Sequence, residues 1–470
     1  MTNLTFYERT RDALEDPTVN QAIRVGARRF VSHRASTVSG LPEMDSLRDR
    51  ARVIRAETLN KLDVFLAEFA DNVELNGGRV FWAKNADEAN DYVVKLAAAR
   101  GVRHVVKSKS MVTEEIELNH ALEVAGVRVI ESDLGEFIAQ LAGERPSHII
   151  APVLHKTRGE VGKLFEEELN VAYTEEPIAL NDIARSHLRD IFLSSDMGIS
   201  GVNFGVAESG TLSLVTNEGN GRFCTTTPRI HVALMGMERL VPTFADLGTM
   251  LPVLEISATG QRLTVYNNLL TGPRRSGEPD GPEELHVVIL DNGRSDTLAS
   301  EVAEILYCIR CGACLNICPV YQSIGGHAYG SVYPGPLGSV LTPTLMGLEQ
   351  WHELPHASTL CGACKEICPV RIDIPSLLLR LRDASSKANH SPVWIRTLMR
   401  IYSIVARHPK LFQLGMRFAS VSSRLFAKED WLNRLPPPLN GWTDHRNFRA
   451  LAKKSFGQQW AERRSTEHTS

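Results

Sequence analysis

The sequence lacks the features of a membrane-spanning, exported or nucleic-acid-binding protein. No apolar run approaches the ~18 consecutive residues that a membrane-spanning helix needs. The first residues, MTNLTFYERTRDALEDP, are mixed in charge and contain no apolar core segment, so we expect no secretory signal. With 52 basic and 55 acidic residues the formal net charge is −3, which provides no basic field for nucleic acid. We therefore expect a cytoplasmic protein.

The common cofactor-binding loops are also missing. No GxGxxG opens a helix after a predicted strand, and the sequence contains no GxxxxGK[ST] phosphate loop. Hydride transfer by a nicotinamide bound in this chain is therefore poorly supported. The chain contains no low-complexity tract, and its one internal repeat is a duplicated cysteine motif.

Cysteine is sparse over most of the chain and concentrated in one segment. Only 8 of the 470 residues are cysteine; Cys224 stands alone, and the other seven lie within about sixty residues. In a reducing compartment, clustered cysteines are more often metal ligands or reactive thiols than disulfides. The seven are Cys308, Cys311, Cys314, Cys318, Cys361, Cys364 and Cys368.

The first cysteine motif, CIRCGACLNICPV, has the spacing of a ferredoxin cluster-binding run. Its order is Cys308-x2-Cys311-x2-Cys314-x3-Cys318-Pro319. In such a run three thiolates hold one 4Fe–4S cluster, and the fourth, which precedes proline, reaches the neighbouring cluster. A zinc site would usually use two CxxC pairs, so the spacing predicts an iron–sulfur cluster.

The second motif, STLCGACKEICPV, has one cysteine fewer, and Ser358 stands where its first ligand would be. Interleaving the two motifs gives two ligand sets. The first 4Fe–4S cluster receives Cys308, Cys311, Cys314 and Cys368, and the second receives Cys318, Cys361 and Cys364. Because the two clusters share interleaved motifs, we expect them to lie within electron-tunnelling range. The small residues Gly312-Ala313 and Gly362-Ala363 should let backbone amides approach sulfur.

The second cluster is one thiolate short, and three explanations stay open. It could be a three-iron cluster, it could have a fourth iron that is open or oxygen-ligated at Ser358, or Cys224 could fold over it. A buried structural cysteine is the simpler interpretation of Cys224, which lies in RFCTTTPRIHVALMG at the start of a predicted strand.

The pattern of apolar residues divides the chain into four regions. Residues 1–70 have apolar residues at helical spacing. Residues 71–294 alternate strand-like runs with helices, which predicts a mostly parallel sheet covered by helices. Residues 295–390 hold the cysteine motifs among helical flanks. Residues 391–470 form a basic helical region, broken at Pro436-Pro437-Pro438, with a loosely held tail.

Seven runs in the second region are predicted strands: RVFWA, RHVVKS, RVIES, HIIAPV, TLSLVTN, RIHVALMG and HVVILD. Binding loops are expected at the carboxyl ends of such strands. The segment Glu208-Ser209-Gly210 could expose backbone amides to an anion or simply form a tight turn. Solvated or salt-bridged side chains are the simpler interpretation of four other candidates, although each could bind a ligand. These four are Lys107, Lys109, Asp133 and Glu136. A structural histidine is the simpler interpretation of His155 and His231, although each could act as a base.

Longer stretches of the chain resemble the lactate utilization protein B family. They run along nearly the whole chain and are far more specific than the ferredoxin motif, which many redox proteins share. The matching stretches are VKSKSMVTEEIELN, ESDLGEFIAQLAGERPSHIIAP, GISGVNFGVAESGTLSLVTNEGNGR, GGHAYGSVYPGPLG, CGACKEICPVRIDIP and LPPPLNGWTDHR.

The resemblance implies an α/β lactate-utilization domain, similar in fold to the sugar-isomerase and CoA-transferase superfamily, joined to an all-α helical-ferredoxin module with two 4Fe–4S clusters. It also implies the iron–sulfur subunit of a complex that converts L-lactate to pyruvate. The implied partners are a cysteine-rich iron–sulfur oxidoreductase subunit and a second lactate-utilization-domain subunit. All seven clustered cysteines match the family's ligands, Ser358 is the family's usual form, and Cys224 is not among the ligands.

Two other functions are alternatives. The chain could be an autonomous enzyme whose isomerase-like domain performs acyl or sugar-phosphate chemistry while its clusters are structural. It could also be a ferredoxin-like adaptor for another 2-hydroxy acid, such as glycolate. The basic C-terminal helices could contact a partner or a membrane surface, although a solvated face is the simpler interpretation. No catalytic residue for lactate oxidation is predicted.

Overall fold

The computed structural model describes residues 4–437, 439–443 and 446–467. The chain forms two compact units, of which the first ends at Lys387 and the second begins at Ala388. The four-region division of the sequence, with boundaries at residues 71, 295 and 391, stays a prediction. The described residues contain no helix with the length and apolarity needed to cross a bilayer.

Four helices open the first unit, as the helical spacing predicts. They are α1 (Phe6–Glu15), α2 (Pro17–Ser39), α3 (Met44–Asn60) and α4 (Leu62–Leu75). Helix α2 begins at Pro17 because the Asp16 side chain accepts hydrogen bonds from the first free amides of the helix. Helix α4 ends before Gly77, whose φ of 88° is a conformation that glycine adopts without a steric cost.

Ten strands form two sheets in the first unit. They are β1 (Arg79–Ala83), β2 (His104–Lys107), β3 (Arg128–Glu131), β4 (Met197–Gly201), β5 (Phe204–Val206), β6 (Thr211–Thr216), β7 (Ile230–Gly236), β8 (Leu240–Val241), β9 (Tyr266–Leu270) and β10 (Glu284–Leu290). Six of them make an all-parallel sheet in the order β1-β10-β7-β4-β2-β3. The order of the smaller sheet is β8-β5-β6-β9. The predicted parallel sheet is confirmed.

Both faces of the parallel sheet are covered by helices, which explains its nearly continuous apolar strands. The helices of this region are α5 (Ala86–Arg100), α6 (Met111–Glu115), α7 (Leu118–Val124), α8 (Leu134–Leu141), α9 (Arg158–Leu169), α10 (Pro177–Ser194), α11 (Asn220–Thr226) and α12 (Phe244–Thr259). On one face, Val105, Val232 and Val288 pack with α5 and α7. On the other face, Val287 and Ile289 belong to a core shared with α3, α4 and α12.

The cysteine motifs lie in a helical module that shares this second core. Its helices are α13 (Arg294–Leu298), α14 (Ala313–Ile317), α15 (Tyr321–Ile324), α16 (Gly335–Met346), α17 (Leu348–Trp351), α18 (Ala363–Ile367) and α19 (Ile374–Lys387). Buried Cys311, Cys318, Cys364 and Cys368 belong to the same hydrophobic cluster as the N-terminal helices and one face of the sheet. The helical module and the sheet domain therefore share one hydrophobic core.

The second unit contains α20 (Val393–Ala406), α21 (Pro409–Leu425), β11 (Trp431–Leu432), β12 (Phe448–Arg449) and α22 (Phe456–Glu467). Helix over most of 391–430 agrees with the prediction. Part of the expected loose tail is helical, because Ser455 and Gln458 exchange hydrogen bonds at the start of α22 in the manner of a capping box. Pro438 and residues 468–470 lie outside the described residues.

One predicted strand, HIIAPV at residues 148–153, is wrong. Nδ1 of His148 accepts hydrogen bonds from the amides of Ile150 and Ala151, at 3.0 and 3.1 Å. These local bonds satisfy groups that a strand would pair with a neighbour, and Pro152 has no amide hydrogen to donate. The segment is an irregular loop whose His148 Nε2 lies 3.0 Å from Asn316 Oδ1 in the first cysteine motif. The strand pattern missed β4, β5, β8 and β9.

Candidate iron–sulfur centre

A small cavity in the helical module is lined by four cysteines that come from both motifs. Cys308, Cys311 and Cys314 belong to the first motif, and Cys368 belongs to the second. The motifs meet because α14 packs against α18. The interleaved spacing rule groups these same four cysteines, and their role as cluster ligands stays a prediction.

Three of the four thiols, those of Cys311, Cys314 and Cys368, lie where burial opposes ionisation. Cys311 and Cys368 are 6% and 7% exposed. Burial and the neighbouring thiols raise the pKa of both Cys311 and Cys314. Burial also raises the pKa of Cys368 to about 11. Several buried thiolates at one site require a cationic core, so the donor set fits an iron–sulfur cluster.

The other three clustered cysteines form a neighbouring group that is more open to solvent. Burial, with the thiols of Cys318 and Cys361, raises the pKa of Cys364 to about 12. Cys361 itself is exposed, and hydrogen bonds from the Ala363 amide and the Thr359 hydroxyl lower its pKa. This group therefore combines two buried sulfurs with one at the surface.

The spacing of the sulfurs favours a core larger than a single ion. A tetrahedral zinc site with Zn–S bonds of about 2.3 Å holds its sulfurs about 3.8 Å apart. Within the described ranges, the only group of three or more cysteine, histidine or acidic residues with ligand atoms within 4.8 Å of one another is Glu144, His155 and His327. No three cysteine sulfurs are that close.

Both motifs turn at the same backbone positions. Gly312 (φ 73°) precedes α14, and Gly362 (φ 85°) precedes α18, each in the left-handed region. The following alanine amides donate toward the sulfurs of Cys311 and Cys361. The predicted approach of backbone amides to sulfur at the Gly-Ala pairs is confirmed, and such bonds tune a bound cluster.

Helix α3 holds a row of three arginines against the module, which the sequence reasoning missed. Arg48 Nη2 lies 2.9 Å from the carbonyl oxygen of Cys368. Arg55 Nη2 lies 2.9 Å from the carbonyl oxygen of Leu306. With Arg52 between them, the i, i+4, i+7 spacing places all three on one helix face. That spacing was a signal visible in LRDRARVIRAETLN.

A buried ion-pair network joins the first motif to the sheet domain. Glu238 accepts from Arg294 Nε at 2.7 Å and from Arg310 Nη2 at 3.3 Å. Arg294 also pairs with Glu115 at 2.8 Å, and the Tyr333 hydroxyl donates to Glu115 at 2.6 Å. Burial opposes ionisation of Glu238, but the surrounding arginines outweigh it and lower its pKa to about 2. The carboxylate therefore stays charged.

A second cavity, of about 270 Å³, opens at the carboxyl edge of the parallel sheet, where binding loops were expected. Its lining includes two predicted candidates, Lys109 and Asp133, together with Glu218 and Arg310. Lys109 donates to the carbonyl oxygen of Ile150 at 2.6 Å. Burial and the nearby Asp133 raise the pKa of Glu218 to about 7. The cavity thus reaches from the sheet to the first cysteine motif.

The remaining acidic and basic candidates are buried outside this cavity. Lys107 pairs with Glu114 at 2.6 Å and with Glu131 at 2.7 Å, which agrees with the ion-paired interpretation. Glu136 is buried, and its two carboxylate oxygens have no hydrogen-bond partner among the described residues. Burial and Glu131 raise the pKa of Glu136 well above its ordinary value. A solvated or salt-bridged position was expected for Glu136, and that prediction is wrong, because the carboxyl group is buried without an ion-pair partner among the described residues.

The two histidine candidates and Cys224 have hydrogen-bonded positions in the sheet domain. His231 Nε2 lies 2.8 Å from the Ser200 hydroxyl, and burial lowers its pKa to about 3. His155 contacts Ser147 and Glu144. Cys224 is fully buried, and its sulfur lies 3.2 Å from the hydroxyl oxygen of Ser132. The lining of the four-cysteine cavity does not include Cys224.

Glu208-Ser209-Gly210 forms a tight turn, which is one of the two possibilities that the sequence left open for this segment. The amides of Glu208 and Gly210 donate to the carbonyl oxygens of Pro242 and Val206. Gly210 has a φ of 67°, and a Cβ there would lie 2.5 Å from the backbone nitrogen of Val73. Glycine is required by this close approach to α4, and the two engaged amides are not free to bind an anion.

The sequence matches three family models. They are described as LUD domain over residues 66–290, 4Fe-4S dicluster domain over residues 304–372, and lactate utilisation protein B, C-terminal, over residues 382–465. The chain is 44% identical over 464 residues to lactate utilization protein B of Anoxybacillus flavithermus, covering 98% of each protein. The chain belongs to the lactate utilization protein B family.

Other members of the lactate utilization protein B family match equally broadly. Lactate utilization protein B of Bacillus subtilis is 42% identical over 466 residues, covering 99% of this chain and 97% of the relative. The Escherichia coli protein named uncharacterized electron transport protein YkgF is 43% identical over 468 residues, covering 97% and 98%. The predicted resemblance is confirmed, as is the fold class of a mixed α/β lactate-utilization domain with a 4Fe–4S dicluster domain.

The 4Fe–4S dicluster match at residues 304–372 includes all seven clustered cysteines. A crystal structure of a DUF162 family protein from Deinococcus radiodurans aligns with 49% of this chain and 98% of its own, at 13% identity and a TM-score of 0.27. That likeness is too distant to carry an argument.

Proposed function

We propose that this chain is the electron-transfer subunit of a complex that oxidises L-lactate to pyruvate, and that its seven clustered cysteines hold two 4Fe–4S clusters. The observation that carries the proposal is the grouping of four cysteines from both motifs around one cavity, beside a second group of three. The names of the relatives, which refer to lactate utilization and electron transport, support the substrate and the role.

Oxidation of L-lactate to pyruvate releases two electrons and two protons, and a bound 4Fe–4S cluster supplies one-electron transfer. The chain's own residues would hold and tune that chemistry. Backbone amides donate to the cysteine sulfurs, as Ile372 does to Cys368 at 3.3 Å. Arg48 and Arg55 bring positive charge to the module, and burial excludes water from the first group. Two clusters match the two electrons that the reaction releases.

The proposed partners are a cysteine-rich iron–sulfur oxidoreductase subunit and a second lactate-utilization-domain subunit. The exposed Cys361 supports exchange of electrons with a partner at the second cluster. The second unit also exposes large apolar side chains on α20 and α21, and such surfaces commonly mark protein contacts. They include Trp394, Leu398, Met399, Phe412, Leu414 and Phe418.

Anaerobic purification of the full chain, with iron and sulfide analysis and electron paramagnetic resonance, tests the cofactors. Two coupled signals of reduced 4Fe–4S clusters are expected. The matched control is Cys224→Ser, which should keep the iron because this thiol contacts Ser132 instead of the cluster groups. An oxidised three-iron signal would mean that the second site, beside Ser358, holds a three-iron cluster and not a 4Fe–4S cluster. Colourless or zinc-containing protein would overturn the proposal.

A deletion strain tests the substrate. Growth on L-lactate should be lost and growth on glycolate kept, and both should be tested again with a plasmid copy. Loss of growth on glycolate alone would favour the adaptor for another 2-hydroxy acid. Complementation by a Cys311→Ser copy would show that the clusters are dispensable, which the electron-transfer proposal does not allow. Co-purification of the tagged chain should recover the two partner subunits.

A further inference from the structure

The cavity at the carboxyl edge of the sheet has one wall that comes from the helical module. Ser108 and Gly201 line it at the ends of β2 and β4, and Arg310 and Tyr333 line it from the module. Open parallel sheets bind their ligands at this edge. The volume of about 270 Å³ lies near the lower end of small-molecule pockets, so it suits a small metabolite and not a dinucleotide.

Arg310 presents an unpaired donor in this wall. It lies between Cys308 and Cys311 with a backbone φ of 59°, a conformation that residues other than glycine rarely adopt. Its guanidinium lies 4.9 Å from the centre of the Tyr333 ring, and its side chain is 10% exposed. Its buried Nη1 has no hydrogen-bond partner among the described residues. A buried donor without an acceptor is costly, and an anionic ligand would supply the acceptor.

The groups around the guanidinium carry an excess of positive charge. Arg239 also lines the cavity, and its Nη1 donates to the Cys308 carbonyl oxygen at 3.1 Å. Of the charged residues in this network, Arg239, Arg310 and Glu238 line the cavity, so the wall around the guanidinium has one more positive than negative charge. The other charged lining residues are Lys109, Asp133, Glu218 and Glu255. The wall at Arg310 is therefore the part of the cavity that attracts an anion.

Another part of the lining suits a second oxygen on the ligand. Asp133 and Glu218 both line the cavity, and burial with the charge of Asp133 raises the pKa of Glu218 to about 7. A carboxyl group that holds a proton near neutral pH can donate a hydrogen bond to a carbonyl oxygen, and once ionised it can accept one from a hydroxyl. The cavity therefore offers partners for a carboxylate and for a hydroxyl or carbonyl group.

We propose that this cavity binds a small 2-hydroxy or 2-oxo carboxylate, with Arg310 as the partner of its carboxylate group. The choice of L-lactate or pyruvate rests on the proposed function, whereas the carboxylate class rests on the unpaired Nη1 of Arg310 and the local charge. Because Arg310 lies between Cys308 and Cys311, the bound anion lies next to the first cysteine group. Ligand binding and the first cluster are thereby coupled.

Calorimetric titration of the full-length, cluster-loaded protein under anaerobic conditions tests the site. L-lactate and pyruvate should each bind at one saturable site. Propionate, which lacks the oxygen on carbon 2, and sulfate should bind at least tenfold more weakly. Equal affinity for sulfate or propionate would overturn the assignment to this ligand class.

Three variants separate the carboxylate contact from a general effect on the module. Arg310→Gln should weaken binding at least tenfold, because it removes a charge-assisted hydrogen bond. Ala258→Phe should abolish binding by filling the cavity while it leaves every charge in place. The matched control is Arg371→Gln: this arginine also has a left-handed φ, follows Cys368 closely and pairs with Asp45 and Asp49 away from the cavity. Binding should be unchanged in the control.

The outcomes distinguish this site from the proposed function. Unchanged binding in Arg310→Gln, even with an altered cluster potential, would overturn the site, because the arginine would then serve the cluster alone. Absence of binding in wild-type protein whose clusters are intact and reversibly reduced would also overturn it and leave electron transfer standing. Binding by wild-type protein that assembles no cluster would support the site and overturn the proposed function.

Discussion

The two cysteine motifs have the same local design in different surroundings. Both contain CGAC followed by ICPV, and both place a left-handed residue before the first cysteine of that run, Arg310 in one and Leu360 in the other. Each then turns at a left-handed glycine and begins a five-residue helix. Similar sequence therefore produces similar backbone, because glycine and the short cysteine spacing dictate the turn.

The surroundings of the motifs differ in depth and charge. A Cβ on Gly312 would lie 3.1 Å from Ile150 of the sheet domain, whereas a Cβ on Gly362 would have no atom within 4 Å. Cys311 is buried and its counterpart Cys361 is exposed. Arg310 of the first motif lines the cavity at the carboxyl edge of the sheet, and Cys361 of the second motif faces solvent. We expect the first cluster to respond to the ligand and the second to exchange electrons.

Loss of one ligand from each motif should have the largest and most unequal effect. Cys311→Ser should remove about half of the iron and lower the melting temperature strongly, because Cys311 is buried whereas Cys361 is exposed. Cys361→Ser should remove only the signal of the second cluster and leave the fold nearly unchanged. Iron analysis and thermal unfolding measure both. Equal losses would show that the two sites are not independent.

Brief oxidation should damage the second cluster first. The exposed Cys361 and the missing fourth thiolate would leave iron accessible in the proposed second cluster, whereas four cysteines would ligate the proposed first cluster. A three-iron signal should grow during exposure to air while the first cluster keeps its reduced 4Fe–4S signal. Cys224→Ser is the control and should not change the order. Simultaneous decay of both signals would contradict the difference in exposure.

The ion pairs beside the two motifs should differ in how much they contribute to the free energy of unfolding. Glu238→Gln should destabilise the protein by about 3–5 kcal/mol, because it leaves buried arginines without their carboxylate. Asp45→Asn, which removes an exposed partner of Arg371 at 3.1 Å and of Arg48 at 2.9 Å, should cost less than about 1 kcal/mol. Chemical denaturation at pH 7 compares the two. Similar costs would contradict the difference in burial.

The ion pairs of Glu238 also predict that the stability of the fold depends on pH. Its folded pKa of about 2 lies below the value of about 4.3 for an unfolded glutamate. Its stabilisation is therefore fully present above about pH 4.3 and is lost as the pH falls toward 2. Between pH 5 and pH 3 the wild-type protein should lose more stability than Glu238→Gln. A parallel loss in both proteins would assign the acid sensitivity to other groups.

Exchange of the left-handed residues should have the smallest effect. Arg310→Leu should lower the reduction potential of the first cluster by an amount on the order of tens of millivolts, because it removes a buried positive charge. Leu360→Arg should raise the potential of the second cluster by less, because water screens the new charge. Redox titration monitored by electron paramagnetic resonance measures both. An unchanged potential in Arg310→Leu would mean that other charges compensate.

Local pattern was sufficient for the N-terminal helices, for five of the six strands of the parallel sheet and for the grouping of the cysteines. Each depends on short-range spacing: apolar periodicity for the helices, β-branched runs for the strands, and the CxxCxxCxxxCP run for the motifs. HIIAPV shows where this reasoning fails. Its composition is strand-like, but the His148 imidazole accepts a hydrogen bond from the Ile150 amide of the same loop. The other ring nitrogen contacts the side chain of Asn316, which is far away in sequence.

Tertiary structure decided burial, charge pairing and the cavity. Arg55 reaches Leu306 across 251 positions, and Arg310 meets Glu238 across 72. No spacing rule predicts such contacts, because they depend on how separate elements pack. The sequence therefore specified which residues could bind iron, and the fold determined that one cysteine group is enclosed beside a charged cavity while the other reaches the surface.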